Sequence, residues 1–125
     1  MNEFVIKQGR VEIIIKSMLI GNDLCIIISG GDAPHIGSIT LSICRESLKD
    51  ANINSCTTSV LNLLGHKDEK VIRYVAEKIS PILEKNVVII GGIHINKIKT
   101  KEIDFILNSL DEIVEQIIGI YKIKL

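Results

Sequence analysis

Three histidines, His35, His66 and His94, each fall inside a glycine-bearing segment: Gly30-Gly31-Asp32-Ala33-Pro34-His35-Ile36-Gly37, Gly65-His66-Lys67-Asp68-Glu69 and Gly91-Gly92-Ile93-His94-Ile95. Imidazole titrates near neutral pH, hydrogen-bonds through either ring nitrogen and ligates zinc or iron, so the three residues could serve ligand binding, acid–base work or a metal. Glycine loops and helix N-termini expose amide N–H groups that hold phosphate or carboxylate without a dense basic patch, and Lys67 adds one charge. Plainer roles stand beside these. His35 could bond a loop carbonyl, His66 could cap a strand end, and His94 could sit in the core between Ile93 and Ile95. Asp32 reads more readily as an Asx-turn residue than as a general base. Gly91-Gly92 either admits a close ligand or forms a bulge. The histidine spacing matches no compact metal motif, so no metal site is expected, and neither G-x-x-x-x-G-K-[ST] nor G-x-G-x-x-G is present. Ser55-Cys56-Thr57-Thr58-Ser59 is rich in nucleophiles but has no paired base, and it reads as strand-edge packing.

Composition narrows the partners. Lysine plus arginine and aspartate plus glutamate number 15 each, and the formal net charge is zero. No electrostatic footprint for nucleic acid or an anionic membrane results. Cys25, Cys44 and Cys56 form an odd set without C-x-x-C spacing, which points to reduced thiols in the cytoplasm. No basic leader with an apolar core opens the sequence, and no apolar run reaches the roughly 20 residues of a membrane span, so a cytoplasmic protein is expected. Aromatics make up only 3 % of the chain, with no tryptophan, so stacking cannot be the main binding device. A chain of 125 residues is expected to form a single domain, with its core over residues 11–118 and residues 1–10 and 120–125 peripheral.

The elements that must position these loops follow from periodicity. Val11 to Leu19, Leu24 to Ser29, His35 to Cys44 and Cys56 to Leu64 read as four strands. The third alternates Ile39, Leu41 and Ile43 against Ser38, Thr40, Ser42 and Cys44. From Asp68 the spacing becomes helical and runs to a bend or stop near Pro81. Val87 to Ile95 is a nearly all-apolar fifth strand. Thr100 reads as the N-cap of a second helix that Gly119 closes, after which residues 120–125 alternate like an edge strand.

Four strands on short turns make an antiparallel meander, and the helix before the fifth strand makes strands four and five parallel. The expected fold is α+β: a mixed, mainly antiparallel five-stranded sheet in the order β-β-β-β-α-β-α, with two helices on one face. In that arrangement Gly30, Gly31, Asp32, His35, Gly37, Gly65, His66, Lys67, Gly92 and His94 gather at one sheet edge with both helix N-termini. The other face, carrying Cys25, Ile27, Thr40, Ser42, Val88 and Ile90, has no element to cover it, which implies a homodimer or higher homo-oligomer.

The three glycine–histidine blocks resemble, in motif order over roughly residues 11–118, the small third subunit of reversible hydroxyarylic (gallate-type) acid decarboxylases, a prenylated flavin chaperone-like domain. The resemblance implies a non-catalytic accessory protein that binds prenylated FMN, or the decarboxylase catalytic subunit, at the glycine- and histidine-lined edge. A flavin phosphate suits amide-rich loops, while the isoalloxazine ring would rest on isoleucine, proline and peptide planes. Two other readings remain open. One is a small metal-dependent or acid–base enzyme at the same edge. The other is an assembly factor working through the open sheet face, since the element order is also similar to that of proteasome assembly chaperones.

Overall fold

The computed structural model describes residues 1–63 and 68–122. Alternating apolar residues form β1 (Asn2–Gln8), β2 (Val11–Ile20) and β3 (Asp23–Gly31), joined by two tight hairpin turns. The segment preceding residue 11, expected to be peripheral, is therefore a paired edge strand, and among the described residues the sheet has six strands rather than the expected five. β4 (Ser38–Glu46) and β5 (Asn54–Asn62) make a second antiparallel pair, α1 (Asp68–Leu83) follows, and β6 (Val87–His94) leads into α2 (Thr100–Lys122).

The strand order is β1-β2-β3-β6-β4-β5. The expected four-strand meander is thus interrupted: β6 inserts between β3 and β4, parallel to the first and antiparallel to the second. The cause lies in the residues. β3 and β6 are apolar on both faces and take the centre, where ladder neighbours on both sides satisfy the backbone. The hydroxyl-rich β5 takes the edge. Strand directions survive the insertion, because β3 and β4 still run oppositely and β5 and β6 still run the same way. The C-terminal ends of β3, β5 and β6 and the start of β4 consequently share one edge of the sheet.

Both helices cover one face. Ile13, Ile15, Ile26, Ile28, Val87 and Ile89 are essentially inaccessible beneath them, in one cluster with Ile72, Ile79, Val114 and Ile117. β4 turns the other way from expectation. Ser38, Thr40 and Ser42 are fully buried on the helix side, and Ile39, Leu41 and Ile43 look out from the open face. Burial of hydroxyls is sustainable where they bond each other. Ser42 Oγ lies 2.8 Å from Thr58 Oγ1, which donates to Glu77 of α1 at 3.1 Å. Thr58 belongs to the Ser-Cys-Thr-Thr-Ser run, whose reading as strand-edge packing agrees with its position on β5.

α1 runs past Pro81 for two residues and stops at Leu83, where Glu84 adopts positive φ. α2 does not close at Gly119. It continues to Lys122 because Tyr121 extends the buried stripe and places its hydroxyl 2.9 Å from Ser17 Oγ and 3.1 Å from Asn2 Nδ2. Residues 120–122 are therefore helix rather than edge strand, and residues 123–125 lie outside the described part. At the other end the cap is not the Thr100 hydroxyl. The Glu102 carboxylate reaches back to accept from the Lys99 amide at 2.9 Å, half of a capping box.

Candidate functional site

Because β6 stands between β3 and β4, the chain leaving β3 must arch over the C-terminal end of β6 to enter β4. Residues 32–37 form that arch. It is pinned at both feet and along its flank: the Asp32 amide donates to the His94 carbonyl at 2.7 Å, the Gly37 amide to the Gly91 carbonyl at 3.0 Å, and the Leu63 amide to the Gly37 carbonyl at 2.9 Å. Two glycines permit the approach. Gly31 pairs with His94 in the ladder at φ 84°, and a Cβ there would overlap the His94 backbone. Gly91 pairs with Ile28, and a Cβ on it would overlap the Ile28 carbonyl oxygen. The β3–β6 pairing stays in register through Gly91 and Gly92, so this pair makes no bulge there.

The arch brings His35 over His94, with ring centroids 6.1 Å apart and planes at 74°, an edge-to-face arrangement. Both rings are exposed. The core position considered for His94 is not adopted, since its alternation along β6 turns it to the open face; His94 Nε2 lies 3.0 Å from Asn96 Oδ1. His35 Nδ1 lies 3.1 Å from the Ala33 carbonyl, so the plain role holds for one ring nitrogen. Asp32 makes no bond within its own turn; it accepts from the Asn96 amide at 2.8 Å and ties the arch to the segment after β6. Gly65, His66 and Lys67 lie outside the described residues.

Sequence reading missed Arg10, in the β1–β2 turn. Its guanidinium donates to both Glu102 oxygens at 2.8 and 2.9 Å and to the Lys97 carbonyl at 3.2 Å, and it stands 3.9 Å from Asp32 Oδ2. The bonds from Arg10, then the one from the Lys99 amide, hold the Glu102 carboxyl at a pKa of about 2. The β1–β2 turn, the arch, residues 95–99 and the start of α2 are thereby tied together. A Gly-Arg hairpin turn beside two glycine loops was the available signal. Exposed Ile36 and Leu63 add apolar surface at the same edge, 53 % and 52 % accessible. No group of three or more His, Cys, Asp or Glu side chains among the described residues could hold a metal.

A separate groove of about 520 Å³ opens between β1 and α2, lined by Phe4, Phe105, Ile113 and the charged Glu3, Lys7 and Glu112. It contains no histidine and lies three strands from β6, roughly 14 Å at ladder spacing. The arch, with its converging polar groups and apolar flank, is the better candidate.

Comparison with known proteins adds three findings. A family model described as "Prenylated flavin chaperone LpdD-like domain" matches residues 7–122. Protein LpdD of Lactiplantibacillus plantarum is 29 % identical over 122 residues, covering 95 % of this chain and 84 % of that protein. A chain from a solved chaperone complex for yeast 20S proteasome assembly superposes over 97 % of this chain and 93 % of its own length, with 10 % identity and a TM-score of 0.45. A similarity at that level supports no conclusion about assembly. Among the described residues no helix is long and apolar enough to cross a membrane.

Proposed function

The chain belongs to the prenylated flavin chaperone LpdD-like family, and from that premise we propose that it is an accessory protein for a prenylated-FMN-dependent decarboxylase, holding the modified flavin or the catalytic subunit at the arch. The observation that carries this reading is the His35–His94 pair set among the pinned glycine loops at the C-terminal edge of the sheet.

The chemistry of these side chains suits such a flavin. Exposed imidazoles can donate to or accept from the ring's carbonyl and nitrogen edge, and as cations they can face a phosphate. Ile36 and Leu63 offer aliphatic surface for a ring enlarged by an isoprenoid unit. No described aromatic side chain is placed to stack: Phe4 and Phe105 line the separate groove, Tyr74 bonds Asp111 at 2.9 Å, and Tyr121 bonds Ser17. A flavin ring held here would rest on the aliphatic and peptide surface of the arch. Gly30, Gly31, Asp32, Gly37, Gly92 and, beyond the described residues, Gly65, His66 and Lys67 complete the proposed surface. The flavin supplies the decarboxylase's chemistry; this chain binds and presents it.

Titration with prenylated FMN tests the proposal, following flavin absorbance and the melting temperature of the protein with and without the decarboxylase subunit. A spectral change with a rise in melting temperature is expected. No response in either, under both conditions, overturns it.

A further inference from the structure

We propose that the open face of the sheet is where two copies of this chain meet, sheet against sheet, about a two-fold axis passing between β3 and β6. This goes beyond the flavin reading and does not rest on it.

The face is built for burial. The ladders align Ile27, Ile90, Ile39 and Leu61 in one row across four strands. The next row aligns Cys25, Val88 and Leu41. Ile27, Leu41 and Leu61 are 37 %, 41 % and 69 % accessible, and among the described residues no element lies over them. Turning Ile39, Leu41 and Ile43 outward, while Thr40 and Ser42 are buried beneath α1, concentrates apolar surface on the uncovered side.

Size and charge favour a second copy. Six strands at about 4.8 Å spacing and about 26 Å of strand length give a face of roughly 750 Å². Two such faces bury roughly 1,500 Å², within the range of stable specific interfaces. The charges on the β1–β2 flank of this face are matched within one chain: Glu3 stands opposite Lys16 in the ladder, and Lys7 pairs with Glu12 at 3.7 Å. Arg45, in phase with Ile43 near the end of β4, donates to Thr57 Oγ1 and the Glu46 carbonyl, and the rows through Ile27, Ile90 and Ile39 and through Cys25, Val88 and Leu41 carry no charge from β3 to β4. An identical face therefore meets an uncharged centre with its own uncharged centre, and a highly charged partner finds little there to complement. With three strands on either side of the axis, packing at the sandwich separation of about 10 Å brings each copy's Ile27 and Ile90 onto those of the other.

Interfaces of this size span micromolar to picomolar affinity, so sedimentation at tens of micromolar decides the matter. The wild type should sediment at twice the 13.9 kDa chain mass. Leu41→Arg should sediment at the single-chain mass with an unchanged circular dichroism spectrum. Should that variant fail to fold, alkylation of wild-type Cys25 replaces it, and the thiol should become several-fold slower to react as concentration rises through the dimerisation range. A wild type of single-chain mass, a folded Leu41→Arg that remains dimeric, or Cys25 alkylation independent of concentration overturns the proposal. So does protection of Cys25 only after the decarboxylase subunit is added, which would give the face to that partner.

Discussion

His35 and His94 face each other edge to face, 6.1 Å between ring centroids, across an arch that exists because β6 separates β3 from β4. Had β3 and β4 been ladder neighbours, the segment between them would have closed as a simple hairpin loop beside β6. The contact is thus a product of strand order: the backbone of β6 supplies carbonyls at Gly91 and His94 for the two feet, and its last residue supplies the second ring.

If the pair contacts the flavin, His35→Ala and His94→Ala should each weaken flavin binding several-fold. Because both rings are exposed, the unliganded protein should keep its stability to within about 0.5 kcal/mol. Calorimetric titration paired with thermal melting checks both halves. Unaltered flavin affinity in the two variants would move the site elsewhere, with the Phe4–Phe105 groove the next place to look.

Three glycines separate close approach from helix propensity. Gly31→Ala and Gly91→Ala drive a methyl into the His94 and Ile28 backbones, and neither neighbour can yield without opening the β3–β6 ladder. Each should destabilise by more than about 2 kcal/mol or prevent folding. Gly119 lies within α2 with nothing near its would-be Cβ, so Gly119→Ala should stabilise by about 1 kcal/mol. Chemical denaturation of the three variants measures this, and a stabilised Gly91→Ala would contradict the ladder geometry.

The sequence carried much of this and missed particular parts for local reasons. Four of the strands before α1 and the strand after it, with both helices, were legible because alternation and three-to-four spacing are local, and the approach of the segment after β3 to the end of β6 was legible because it depends on strand direction. Strand order was not, since no pattern within Val87–His94 names its neighbours; only its apolarity on both faces hinted at a central place. The facing of β4 was misjudged because either of its faces could be buried, and the Thr58 and Glu77 partners that settle it come from other elements. Arg10 was missed because its value depends on Glu102, a residue distant in sequence that only the folded chain brings near.

The buried hydroxyls of β4 divide into partnered and unpartnered. Ser42 Oγ has Thr58, whereas Ser38 Oγ and Thr40 Oγ1 are buried without a hydrogen-bond partner among the described residues. Thr40→Val keeps the shape and removes an unsatisfied group, so it should be neutral or stabilise by about 1 kcal/mol. Ser42→Ala takes a partner from Thr58 and should destabilise by about the same amount. Denaturation midpoints at constant slope are the measurement, and a strongly destabilised Thr40→Val would reveal a bond for that hydroxyl.

The Arg10–Glu102 tie predicts a pH signature with a definite sign. Glu102 ordinarily titrates near 4.5 and is held at about 2 in the folded chain, chiefly by the Arg10 hydrogen bonds. A carboxyl whose folded pKa lies below its unfolded value contributes stability that is fully present above the unfolded value and is lost as pH falls through the folded one. The contribution should therefore be intact above about pH 5 and fade towards pH 2, leaving neutral-pH behaviour unaffected. In Arg10→Met the Glu102 pKa should rise towards its ordinary value but stop short of it, because the Lys99 amide still donates to the carboxylate. A ¹³C carboxyl titration by NMR reads both proteins. A wild-type Glu102 that titrates at its ordinary value would mean that the β1–β2 turn is not fastened to the start of α2, and the arch would lose its Arg10 support.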